Sequence, residues 1–214
     1  MLTVYTFGDS ILDCGHYNDR GLTPGHLVVR NDDRLFPEFR GQDMTKRYGP
    51  VRLDHRAVDG SMVDDLAQQS KRLPIEPIGN SVALLTIGGN DLIAGLLADP
   101  GPGIDDFAID LHAFLRVLPI RPVLIGTVYD PTFGDDSRNS TGVDPKVARK
   151  NLRKLNDRLI ALGKTHGAGV DLYSHFLKGR PDWLTRGIEP SLTGASEIRR
   201  CFWRAITAGG WFRG

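Results

Sequence analysis

Residues 2–10 read Leu-Thr-Val-Tyr-Thr-Phe-Gly-Asp-Ser, an apolar run that stops at Gly8, Asp9 and Ser10. A short run rich in β-branched and aromatic residues and ended by Gly and Asp predicts a buried strand. A serine just after such a strand lies at a strand-to-helix turn, where its N–H belongs to a helix N-terminus that favours negative charge. Taken alone, the stretch favours a serine that caps the next helix, and a nucleophilic serine is the alternative.

The remaining chain predicts an α/β fold built around this strand. Further strands are predicted over residues 51–58, 81–87, 121–128 and 169–173. Apolar residues recur at helical spacing over 104–118 and over 148–162, the latter behind Asp144 as cap and Pro145 at the first helical position. Shorter helices are predicted around residues 62–66 and 198–205. This alternation predicts a mostly parallel sheet covered by helices on both faces.

No internal repeat or long linker divides the sequence, so we expect one domain over residues 1–214. Two long polar stretches, residues 15–49 and 129–144, are predicted to be loops that line a binding site.

Composition limits the classes of function. The 27 basic and 26 acidic residues leave a formal charge of +1. The sequence therefore has no excess of positive charge that would indicate binding to nucleic acid or to an anionic membrane. No apolar run approaches the ~20 residues needed to span a bilayer, and the pattern of a signal peptide is not present, so a cytoplasmic protein is expected. Cys14 and Cys201 are the only cysteines and predict two free thiols or at most one bridge.

Polar groups that could hold a reacting oxygen follow successive strands. Ligands of open parallel sheets bind beyond the carboxyl ends of the strands. Gly60 follows the second predicted strand and Asn90 follows the third. The N–H groups of Ser10 and Gly60 and the amide of Asn90 would form an oxyanion hole, in which one donor is worth roughly 3–4 kcal/mol. Taken singly, Gly60 is also read as a turn glycine and Asn90 as a helix cap.

In this order the segments resemble the conserved blocks of the SGNH (GDSL-like) hydrolases. Residues 7–10, Phe-Gly-Asp-Ser, look like the first block, Gly60 like the second, and Gly88-x-Asn90-Asp91 like the third. The resemblance covers nearly the whole chain. It implies a flavodoxin-like three-layer α/β/α sandwich with a five-stranded parallel sheet. It also implies a serine esterase that acts on a small-molecule ester and needs no cofactor or metal.

The fourth block departs from the family pattern, which is Asp-x-x-His-Pro. Here residues 186–190 read Arg-Gly-Ile-Glu-Pro, so that Arg186 replaces the aspartate and Glu189 the histidine. Glu189 is the first candidate for the catalytic base. The alternative is that Glu189 and Arg186 form a structural ion pair.

A relocated histidine is the second candidate for the base. His55 ends the second predicted strand, which in the family arrangement lies beside the first, and His175 follows the fifth strand on the same edge. His16 follows Ser10 closely but would not share its helix face. Each of these residues is also read as an ordinary polar side chain.

The leading functional hypothesis is an acyl-ester hydrolase with Ser10, Gly60, Asn90 and Glu189 as its site. The first alternative is a catalytically impaired binding protein for an acyl or sugar group, and the second is an acyltransferase. Asp130, Asp135 and Asp136 indicate either a site for a cation or a polyhydroxylated substrate, or turn chemistry. The acyl group, the alcohol and the oligomeric state stay open.

Overall fold

The protein is described from a computed structural model, which covers residues 1–212. Its centre is a five-stranded parallel sheet with the strand order β2-β1-β3-β4-β5. The strands are β1 (Leu2–Gly8), β2 (Val51–His55), β3 (Ser81–Thr86), β4 (Val123–Gly126) and β5 (Gly167–Val170). The five strands start in the stretches that the sequence predicts or close to them, and β2 pairs with β1 as expected.

Helices cover both faces of the sheet. They are α1 (Pro24–Val29), α2 (Met44–Tyr48), α3 (Leu66–Gln69), α4 (Gly89–Asp91), α5 (Gly103–Val117), α6 (Pro145–His166), α7 (Leu172–Phe176) and α8 (Leu192–Gly209). A π-helical turn over Leu92–Leu96 continues α4. A separate two-stranded hairpin joins β6 (Leu184–Thr185) to β7 (Glu189–Pro190). The predicted three-layer α/β/α sandwich is therefore confirmed.

The two faces of the sheet divide the core because side chains alternate along each strand. Phe7 of β1 packs with the apolar residues of α5 and α6, whereas Val4 faces the layer that contains α1 and α8. The predicted cap of α6 is present, since the Asp144 carboxylate accepts the N–H groups of Lys146 and Val147 at 2.9 and 3.2 Å.

Several predicted boundaries were wrong. The second strand ends at His55 and not at residue 58, although the N–H groups of Arg56 and Val58 still donate to the carbonyls of Thr6 and Gly8 at 2.9 Å each before the chain turns at residues 59–60. The fourth begins only at Val123, after Pro122, which has no N–H to give to the sheet. The fifth spans Gly167–Val170, and Asp171 then caps α7, which takes the last two residues of the predicted 169–173 strand.

The predicted helix around residues 62–66 is a 3₁₀ turn over Val63–Asp65 followed by the four-residue α3. The predicted last helix starts six residues earlier than the apolar pattern indicated, at Leu192. The stretch 15–49 is not a plain loop, because it contains α1 and α2.

A buried arginine connects this stretch to the last helix. Arg199 of α8 is fully buried, and its guanidinium stacks 3.4 Å from the ring centroid of Phe39. It also donates to Asn31 Oδ1 at 2.9 Å and to the Ser196 hydroxyl at 2.8 Å. These bonds satisfy a charge that would be costly to bury alone, and they hold residues 31–39 against α8.

Gly8 ends β1 in a conformation that the fold requires. Its φ is +115°, and a Cβ built there would lie 1.6 Å from the carbonyl oxygen of Thr86 in β3. We expect Gly8→Ala to lower the free energy of unfolding by about 3 kcal/mol or more, since backbone overlap adds to the cost of the left-handed conformation. Urea unfolding followed by circular dichroism measures this loss.

Gly41→Ala is the matched control. Gly41 has a φ of +76°, but a Cβ there would meet nothing within 4 Å. Only the conformational cost of about 1–2 kcal/mol should appear. Equal losses in the two variants would show that contact with β3 does not constrain Gly8.

Candidate active site

Three of the four predicted site residues line one cleft at the carboxyl ends of the strands. Ser10, Asn90 and Glu189 all border this cleft, which opens to solvent. Gly60, on the neighbouring turn, is not among the lining residues. This turn is nevertheless joined to the Ser10 segment by backbone and side-chain hydrogen bonds.

The first and third blocks are held together by Asp9, which is fully buried. The Asp9 N–H donates to the carbonyl of Thr86 at 3.2 Å, and the Thr86 hydroxyl donates to Asp9 Oδ1 at 2.8 Å. The same oxygen accepts the N–H of Ile11 at 3.2 Å. These contacts fix the backbone on both sides of Ser10.

Gln69 joins the first block to the second. Its Oε1 accepts the Gly8 N–H at 2.7 Å, and its Nε2 donates to the Gly8 carbonyl at 2.8 Å and to the Ser61 hydroxyl at 3.1 Å. Sequence reasoning missed this residue, because a glutamine 61 positions from its partner leaves no local pattern.

Asp13 and His55 support the turn before Gly60. Asp13 Oδ2 accepts the Asp59 N–H at 3.0 Å, and Asp13 Oδ1 lies 3.0 Å from His55 Nε2. His55 Nδ1 lies 2.6 Å from the Thr6 hydroxyl of β1. Both ring nitrogens of His55 therefore contact groups other than Ser10, and Asp13 is a second residue that the sequence reasoning missed.

The other candidate histidines also have carboxylate partners. His16 Nε2 lies 3.0 Å from Asp59 Oδ2, which additionally accepts the Tyr17 hydroxyl at 2.5 Å. His175 Nε2 lies 2.8 Å from Glu197 Oε2, and its ring stacks on Trp183. None of the three histidines is among the residues that line the cleft within the described part of the chain.

The groups that would donate hydrogen bonds to an oxyanion still have N–H bonds that no protein acceptor takes within residues 1–212. No protein acceptor within residues 1–212 takes the N–H of Ser10 or of Gly60. The Asn90 side chain donates to the carbonyl of Ser61 at 2.9 Å, which uses one of the two N–H bonds of its amide. Gly60 has a φ of +80°, which explains a glycine at that turn.

Glu189 is brought to the cleft by the hairpin. It lies opposite Thr185 in the β6–β7 pair, and Arg186 and Gly187 make the turn with φ values of 49° and 91°. The Tyr129 hydroxyl donates to the carbonyl of Ile188 at 2.5 Å, which ties the hairpin to the segment after β4.

Burial raises the pKa of the Glu189 carboxyl, with a further increase from the charge of Asp59. The nearby Ser10 hydroxyl and the charges of His16 and Arg186 lower the pKa in part. Glu189 Oε2 is buried and has no hydrogen-bond partner among the described residues. A half-buried carboxyl group beside a serine hydroxyl can accept a proton from it.

The alternative ion pair between Arg186 and Glu189 is not formed within the described chain. The guanidinium of Arg186 lies 5.1 Å from the ring centroid of Tyr17 instead. The predicted cation site is likewise not found, since no cluster of three metal-ligating side chains occurs in residues 1–212. Asp130 and Asp136 instead pair with Arg149.

Both cysteines are buried free thiols, as one of the two sequence alternatives held. No helix in the described part of the chain combines the length and the apolar character that crossing a membrane needs.

Comparison with solved structures finds the same architecture in GDSL-type lipases, acylhydrolases and esterases. The chain is similar to a lipase/acylhydrolase from Enterococcus faecalis, with 18% identity over 97% of this chain and 96% of that chain and a TM-score of 0.64. It is similar to a lipolytic protein of the G-D-S-L family from Veillonella parvula, with 16% identity over 97% and 99% of the two chains and a TM-score of 0.66.

The chain is also similar to an acetyl xylan esterase, with 20% identity over 96% of this chain and 100% of that chain and a TM-score of 0.64. No protein-family model and no curated protein matches the sequence. The chain has the fold of the SGNH (GDSL-type) hydrolases, which confirms the fold that the resemblance implied.

Burial of Asp9 makes stability depend on pH. Desolvation raises the pKa of Asp9 to about 6 from an ordinary value of 3.8. Because the native state keeps this proton longer, the stabilisation is complete below about pH 4 and is lost as the pH rises through 6. The difference of about 2 pKa units corresponds to a loss of about 3 kcal/mol.

We expect Asp9→Asn to remove this dependence, because the amide imitates the protonated carboxyl at every pH. Urea unfolding of wild type and variant at about pH 4 and pH 8 measures the difference. Parallel changes in both proteins would mean that Asp9 does not titrate in this range.

Proposed function

We propose that the protein is a serine esterase of the SGNH type in which Glu189 replaces the usual histidine as the catalytic base. The observation that carries the proposal is that Ser10 and the half-buried carboxyl of Glu189 line the same cleft, close enough for the Ser10 hydroxyl to lower the pKa of Glu189. The solved GDSL-type structures that share this fold support it. The N–H groups of Ser10 and Gly60, which have no protein acceptor within residues 1–212, also support it. The substrate is a small-molecule ester.

In this mechanism the Ser10 oxygen attacks the ester carbonyl while its proton moves to the Glu189 carboxylate. The N–H groups of Ser10 and Gly60 and the Asn90 amide stabilise the negative oxygen that forms. The alcohol leaves with the proton from Glu189. Water then attacks the acyl-serine, gives its proton to Glu189 and releases the acid, so that Ser10 recovers its hydrogen.

The weakness of a carboxylate base is reduced by its surroundings. An ordinary Glu titrates about 2 units below His, a deficit of roughly 3 kcal/mol. The burial of Glu189 and the nearby charge of Asp59 raise its pKa and narrow that gap. The same burial removes water that would compete for the Ser10 proton.

A fluorophosphonate probe tests the nucleophile. We expect covalent labelling of Ser10 in the wild type, because an activated serine displaces fluoride from phosphorus. Ser10→Ala should abolish the adduct in intact-mass spectra. Ser137→Ala, at an exposed serine outside the cleft lining, is the control and should label like the wild type.

If the wild type forms no adduct after hours at millimolar probe, the proposed chemistry fails. The non-catalytic binding protein for an acyl or sugar group would then be the better explanation. An adduct that persists in Ser10→Ala would place the nucleophile elsewhere.

The pH profile of ester hydrolysis tests the base. We expect kcat/KM for p-nitrophenyl acetate to rise through an acidic pKa above the ordinary Glu value, since Glu189 must be ionised to accept the proton and burial raises its pKa. Glu189→Gln should lower kcat by about 10²–10⁴-fold, the usual contribution of a general base.

Buried Asp9 also titrates near pH 6, so the inflection alone does not assign the base. The decisive comparison is with Glu189→Gln. Near-normal activity and an inflection close to neutrality in this variant would remove Glu189 from the mechanism. His55→Gln and His175→Gln, tested singly, would then identify the replacement.

A further inference from the structure

We propose that the cleft selects esters with an acyl chain of medium length, which lies along the wall formed by the first turns of α6. This inference rests on the proposed function and names the substrate class of the same site. It is carried by the position of α6 relative to Ser10 and by the change from apolar to polar residues along the cleft.

The first turns of α6 extend beyond the sheet. Asn156 anchors the helix at the end of β4, since its side chain bonds the N–H and the carbonyl of Val128 at 2.8 Å each. Residues 145–152 precede this anchor and overhang the strand ends. At 1.5 Å per residue, the wall from Leu152 to Pro145 is about 10 Å long.

The part of the cleft near Ser10 is apolar. Ile11 follows Ser10 in the chain and lines the cleft, and most of the other apolar lining residues are aliphatic. They are Leu92, Ile93, Leu97, Val128, Pro131, Ala148 and Leu152. Ile93 is 60% exposed and Ile188 is 39% exposed, so apolar surface also borders the cleft. An acyl chain would cover this surface, whereas an acetyl group would leave most of it in water.

The far part of the cleft is polar and limits the chain. Arg149 pairs with Asp136 and lies 3.5 Å from Asp130, which also accepts the Thr132 N–H at 2.9 Å. Asn139 and Thr141 line the same end. A longer acyl chain would remove water from these polar groups without replacing the hydrogen bonds that they make to it. The cleft therefore favours a chain that ends before the Arg149 ion pairs.

A chain-length series tests the inference. We expect kcat/KM for p-nitrophenyl esters to rise about fourfold per methylene from acetate to butyrate, the gain of burying each CH₂. It should continue to rise to octanoate and fall at palmitate. A flat profile, or a maximum at acetate, would overturn the inference while leaving the esterase proposal intact.

Ala148→Trp provides the blocking variant, because the indole fills the wall of the cleft. The ratio of kcat/KM for octanoate to kcat/KM for acetate should fall by about tenfold or more, since one misplaced group in an apolar pocket changes discrimination between substrates by this factor. Lys150→Trp is the matched control. Lys150 is exposed two residues along the same helix and does not line the cleft, so the wild-type profile should persist.

Calorimetry with octanamide and acetamide separates failure of this inference from failure of the proposed function. These neutral amides need no turnover. Binding of octanamide that is lost in Ala148→Trp and kept in Lys150→Trp supports the acyl site even if the wild type hydrolyses no ester. Equal, weak binding of the two amides to all proteins would overturn it.

Discussion

The buried contact between Asp9 and Thr86 is the constraint on which the site depends. It extends the parallel pairing of β1 and β3 past the end of the strands, at the point where the backbone would otherwise lose its partners. Ser10 thereby emerges at a fixed place above the sheet. Gln69 acts in a similar way at the end of β1, because its side chain bonds both the N–H and the carbonyl of Gly8.

The site is a set of adjoining turns that share hydrogen bonds. The turn before Gly60 depends on Asp13, and Asn90 in turn holds the carbonyl of Ser61. The N–H groups of Ser10 and Gly60 have no protein acceptor within residues 1–212. In the proposed mechanism, donors that are already in place would need little reorganisation when a negative oxygen forms.

The sequence was sufficient to predict the fold because its apolar runs are short and each ends at a turn residue. Residues 81–86 and the cap at Asp144 are examples in which local chemistry agrees with the final structure. The errors arose where tertiary contacts override local preference. Leu172 and Tyr173 have an apolar character that suits a strand, yet Asp171 before them caps a helix that packs on the core.

The candidate site was predictable only in part for a similar reason. Ser10, Gly60 and Asn90 follow strands and could be found by their place in the chain. Gln69, Asp13 and Arg149 act across long separations and have no local signature. Glu189 could be named only through the resemblance of residues 186–190 to the family's fourth block, because it lies almost 180 residues after the serine.

The hairpin of β6 and β7 has a consequence for how such proteins diverge. It pairs with itself and adds no strand to the five-stranded sheet, and Tyr129 bonds a backbone carbonyl rather than the side chain of Glu189. Replacement of that side chain therefore leaves the framework's own hydrogen bonds unchanged. The framework and the proposed chemistry are therefore separable here: the side chain at position 189 can change without loss of a hydrogen bond that holds the hairpin in place.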